Sequence, residues 1–113
     1  MIDLATRAEA MRAAAEQQLD ALAGGASLCS IARSGAAFPG GKYQEGRAYV
    51  AGVVARELRQ GRTPAEALTA AGARWAAAAP AARRGSPSWQ AYGEGGDDAL
   101  AELAGSVPGD TSG

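Results

Sequence analysis

The chain has no histidine and no asparagine, and only one cysteine, Cys29, among its 113 residues. Without imidazole and with a single thiol, the usual zinc ligand sets cannot be assembled. A lone cysteine also excludes an intrachain disulfide framework, which makes a reducing cytoplasm the expected setting. No apolar run reaches the length needed to cross a bilayer. The opening MIDLATRAEAMR lacks the apolar stretch of a secretory signal. Large aliphatics are scarce too: Leu, Ile, Val and Phe together number 15 of 113 residues. That is below the roughly 20% level at which disorder becomes an issue. The second condition for disorder, a high net charge, is not met at −1.

What fills the chain instead is alanine, 30 residues of it. Alanine is the strongest helix former, so the composition predicts a helical domain with a thin core. Such a core is completed by close helix packing or by a second chain. The Ala/Gly/Arg-rich vocabulary suggests a bacterial or phage source. Charge is segregated along the chain. Residues 1–32 carry −2, residues 33–84 carry nine cations against three carboxylates for +6, and residues 85–113 carry −5. Neutralisation of the basic middle by the acidic ends is the first expectation. A basic face for an acidic partner is the second.

Periodicity divides the chain into segments. A first helix is predicted from about Asp3, its N-cap, to Ala23, with Leu4, Ala8, Met11, Ala15, Leu19 and Leu22 as its apolar stripe. Gly24 is its expected stop. A short helix follows from Leu28 to Arg33, capped by Ser27 and ended by Gly35, with Cys29 as a small buried hydrophobe. Residues 36–42, with Pro39-Gly40-Gly41, read as a loop. A third helix runs from about Tyr43 to Gln60, with Val50, Val53, Val54 and Leu58 inward, and Gly61 ends it. Thr63, Pro64 and Glu66 form a capping box with proline at the first helical position. The helix they open carries Leu68, Ala71, Trp75 and Ala78 as its buried stripe and stops at Pro80. Arg83-Arg84-Gly85 reads as a linker. Ser86-Pro87 starts a short helix with Trp89 and Tyr92, and Gly93–Gly96 is expected to break it. Asp97 or Asp98 then caps a last turn with Leu100 and Leu103. Residues 105–113 read as a flexible tail.

Catalytic chemistry finds few residues to work with. Gly40-Gly41-Lys42 falls out of register with a phosphate-binding loop, and Tyr43 stands where Ser or Thr is needed. Asp97-Asp98 lacks the spacing of a calcium loop and is better read as a helix cap. Glu45 and Glu57 are twelve residues apart on one helix, about 18 Å, too far to share one scissile bond. The densest polar group is Lys42, Tyr43, Glu45 and Arg47. It reads as a solvated helix start, though a small-molecule site would be sought there first. No catalytic set, cofactor site or metal site is expected.

Two binding readings remain. Ala48, Ala51, Gly52 and Ala55 form a small-residue patch that admits a close second helix, from this chain or another. Trp89 is either a cap on the core or an anchor for a partner. Alternatively, the helix order around SLCSIAR resembles a helix-turn-helix, with Lys42, Gln44, Arg47, Arg56 and Arg59 on the would-be recognition helix. The loop over 36–42 is long for that motif, and a pI near 5.4 works against phosphate attraction. The sequence therefore predicts an all-α protein, a compact bundle of four or five short helices over residues 1–104. Its expected function is that of a non-enzymatic regulatory or adaptor module that binds another protein, a second copy included. Nucleic-acid binding is the alternative.

Overall fold

The computed structural model describes residues 3–23, 39–78 and 87–106. Four helices make up nearly all of this: α1 (Leu4–Ala23), α2 (Pro39–Arg59), α3 (Pro64–Ala78) and α4 (Pro87–Gly105). Among the described residues there is no strand, and the chain is an all-α bundle. The expected helix Leu28–Arg33 with Ser27, Cys29 and Gly35, the Gly24 stop, the 83–85 linker and residues 107–113 lie outside the described residues.

Local signals set most of the ends. Asp3 caps α1, its Oδ1 accepting the Thr6 N–H at 2.8 Å. Thr63 and Glu66 bond reciprocally at the start of α3, Glu66 N–H to Thr63 Oγ1 at 3.1 Å and Thr63 N–H to Glu66 Oε1 at 2.9 Å. Both satisfy amide donors that the first turn leaves without intrahelical acceptors. Gly61, at φ 92°, supplies the left-handed residue that turns the chain from α2 towards α3.

Two expected breaks are absent. Pro39-Gly40-Gly41 is not loop; it forms the first turn of α2, where the fixed φ of proline suits the first helical position. The Gly93–Gly96 run does not interrupt the last helix, and Asp97 and Asp98 lie within that helix rather than at the start of a new one. Helix α4 runs unbroken through them to Gly105, with Gly93, Gly95 and Gly96 buried. The helix thus extends one residue into the expected tail.

Helix α2 is the centre of the bundle, packing against each of the other three. Arg59 pairs with Glu9 while Arg12 reaches Gly52, so α1 runs antiparallel to α2. Tyr43 meets Asp98 and Arg47 meets Glu102, both 55 residues apart, so α4 runs parallel to α2. That parallel pair is the closest contact in the fold. A Cβ at Gly46 would collide with the Tyr92 carbonyl, and one at Gly95 with the Tyr43 carbonyl. Glycine here removes the side chain that would hold two backbones apart.

The core is small but closed. Leu4, Ala8, Val50, Val53, Val54, Ala67, Ala71, Trp75, Ala99 and Leu103 are buried together. Burial of each large aliphatic among them contributes about 1.5–3 kcal/mol. Ala78, expected on the buried stripe of α3, is exposed, and Ala67 takes a core position instead. Ala71 and Trp75 are buried as the spacing predicts, and Leu68 packs partly buried against the core.

Candidate functional site

Along the seam between α2 and α4 the polar side chains form a ladder. The Tyr43 hydroxyl donates to Asp98 Oδ2 at 2.6 Å. One turn on, Arg47 donates to both oxygens of Glu102 at 2.8 and 3.0 Å, a bidentate pairing that fixes orientation as well as charge. The Arg47 guanidinium lies 5.9 Å from the Tyr43 ring centroid. Asp98 as acceptor, with partial burial second, raises the Tyr43 pKa. Arg47 as donor lowers the pKa of Glu102.

Beside this ladder runs a row of rings. Trp75 lies 5.7 Å from Tyr49 and 5.0 Å from Tyr92, and Tyr92 lies 5.4 Å from Trp89 in an edge-on arrangement. The Trp75 ring fills the space opposite Gly96, where any Cβ would strike it. Its Nε1 donates to Asp97 Oδ1 at 3.0 Å. The two adjacent aspartates are therefore a tryptophan acceptor and a tyrosine acceptor. Trp89 closes the row at 47% exposure, with Lys42 Nζ 4.5 Å above its ring. Lys42 also bonds Glu45 at 3.2 Å. The Lys42, Tyr43, Glu45, Arg47 cluster is thus part of the contact between helices.

An open cleft of about 600 Å³ lies over α2. Helix α2 is its floor, α1 forms one wall through Arg12, Glu16 and Leu19, and Tyr92 of α4 lies at the other side. The small-residue patch divides between this cleft and the interior. Ala48 and Gly52 line the cleft, half-exposed, whereas Ala51 and Ala55 point inward and are buried within this one chain. Arg56 and Arg59 stand on the rim.

The cations expected to meet nucleic acid are mostly engaged. Lys42 pairs with Glu45, Arg47 with Glu102, and Arg59 with Glu9 at 2.9 Å. Arg56 is exposed and has no ion-pair partner among the described residues. One buried charge went unnoticed in the sequence. Glu57 is 5% exposed and answered by Arg62 at 3.2 Å and Arg74 at 3.8 Å. It pins the turn between α2 and α3. The cleft rim residues Glu16, Glu45 and Tyr92 were also missed as a group. Glu45, Ala48, Gly52 and Arg56 do share helical spacing, and that was the available signal.

Among the described residues no three His, Cys, Asp or Glu side chains gather as a metal site. No helix among them is long and apolar enough to cross a membrane. Compared with protein-family models, curated proteins and solved structures, the chain matches none.

Proposed function

We propose that this chain is a small non-enzymatic regulatory or adaptor module of the cytoplasm that binds another protein through the cleft over α2. The observation that carries the reading is the cleft itself. It is an open channel along a helix, with Ala48 and Gly52 on the floor and charged residues at the rim. Small floor residues let a helix backbone approach closely. The charged rim excludes water less well but confers orientation.

Ion pairing favours a protein partner over a nucleic acid. Phosphate binding draws on clustered, available cations. Here Lys42, Arg47 and Arg59 each hold a carboxylate.

The test places a photo-crosslinker at the cleft wall, as Glu16→p-benzoylphenylalanine, in cells producing the chain. The Glu16 side chain is exposed and lines the cleft from α1, so the group reaches the cleft without filling its small-residue floor. The expected result is one discrete, nuclease-resistant protein adduct that the same group at exposed Thr69 does not form. No adduct, or one that nuclease removes, overturns the reading.

A further inference from the structure

The charges lining the cleft are ordered along α2. Glu45, which also holds Lys42, stands at one end, Arg56 and the Glu9-paired Arg59 at the other, and Ala48 and Gly52 lie between. Glu45 and Arg56 are eleven residues apart, three helical turns or about 16 Å. On the antiparallel α1 wall Glu16 lies towards the Glu45 end and Arg12 beside Gly52, and the two bond each other at 3.3 Å. A surface acidic at one end, basic at the other and smallest in the middle is its own complement under a two-fold axis.

Resting on the reading that the cleft binds protein, we infer that its occupant is a second copy of this chain, docked with the two α2 helices antiparallel and Glu45 of each copy against the partner's Arg56. A two-fold midway between residues 45 and 56 brings Ala48 and Gly52 of both copies to the crossing. There the absence of large side chains permits close approach. Arg56, without an ion-pair partner among the described residues, gains one. Since α1 walls each cleft, α1 and α2 of both copies form a four-helix arrangement. These helices have 20 and 21 residues, each about 30 Å long. That length suits an interface of about 800 Å² per copy, the size typical of stable association. A second chain also adds apolar contact around half-buried Leu19 and Tyr49, which a chain with 15 large aliphatics in 113 residues needs.

The experiment is the solution mass of the full chain by light scattering, followed across a dilution series. The expected mass is twice 11.3 kDa. Glu45→Arg and Arg56→Glu each set like charges face to face twice in the symmetric dimer. Each is expected to weaken association about tenfold or more, with two pairs changing together. The doubly exchanged Glu45→Arg/Arg56→Glu chain restores opposite charges and recovers the dimer. Far-ultraviolet circular dichroism checks that all three variants keep wild-type helicity, as expected for side chains at the cleft rim. A wild-type chain that is monomeric at its highest soluble concentration overturns the inference, whatever else covers the cleft. A double exchange that fails to recover the dimer overturns it as well. If position 16 crosslinks to a different protein while the chain is monomeric, the second copy falls and the protein-binding reading stands.

Discussion

Tyr43 shows how much a single side chain contributes to joining two helices. Its hydroxyl must be protonated to donate to Asp98, so ionisation of the phenol breaks the bond and sets two anions together. Its pKa is raised in the folded chain, first by the Asp98 hydrogen bond and then by burial. A group with a raised folded pKa stabilises fully below its unfolded value, near 10. That contribution is lost as pH rises through the folded value. Tyr43→Phe should therefore lower stability near pH 8 and flatten the decline above pH 10. Asp98→Asn should bring one phenol back towards its ordinary titration, read from phenolate absorbance. If the three tyrosines titrate alike in the wild type and in Asp98→Asn, the bond does not persist in solution. The aspartate doublet shows the limit of sequence reading at this scale. Asp97 and Asp98 beside glycines resemble helix caps, because capping is a local pattern. Their actual partners, Trp75 and Tyr43, are 22 and 55 residues away, and no local pattern records that.

At the scale of the element, α4 is the instructive helix. Glycine costs roughly 1 kcal/mol in a helix interior relative to alanine, so three in four residues read as a break. What offsets the cost is contact: the parallel α2–α4 pair closes until Gly95 meets the Tyr43 backbone, and Gly96 meets the Trp75 ring of α3. Helix ends whose signals lie within four residues were legible, as Asp3, Gly61 and the Thr63–Glu66 box show. A helix kept whole by its neighbour was not. The patch on α2 was legible as small residues but not as two faces, because only packing shows that Ala51 and Ala55 turn inward. This gives a prediction of sign. Gly95→Ala and Gly96→Ala should each destabilise by about 2 kcal/mol despite better helix propensity, since overpacking costs about 1–3 kcal/mol. Gly72→Ala on α3, where a Cβ meets nothing within 4 Å, should stabilise by about 0.5–1 kcal/mol. Urea unfolding midpoints at constant slope measure all three. A stabilised Gly95→Ala chain would mean that α2 and α4 are not in backbone contact.

For the whole molecule, the segregated charge of the sequence becomes a set of ties between blocks. Arg47 of the basic middle holds Glu102 of the acidic end, and Arg59 holds Glu9 of the acidic beginning. Exposed pairs of this kind add little singly, but their acid response is collective. The Glu102 pKa is lowered by its bond to Arg47, and that of Asp3 by the Thr6 amide. A carboxylate with a depressed folded pKa stabilises above its unfolded value, near 4. That share is lost as pH falls through the folded value. As the carboxylates protonate, the 11 Lys and Arg side chains are left without counter-charge, and mutual repulsion opposes the compact state. The unfolding temperature should thus hold roughly level from neutral pH to about pH 5, then fall steeply. Glu102→Gln should start lower at neutral pH and decline less steeply below pH 4.5, because it has no proton to take up and gives Arg47 only a neutral acceptor. Added salt should soften the acid decline of both chains by screening the cations. Parallel acid limbs for wild type and Glu102→Gln would mean that the Arg47–Glu102 tie carries none of the linkage, leaving the Asp3 cap and repulsion among the cations to drive acid unfolding.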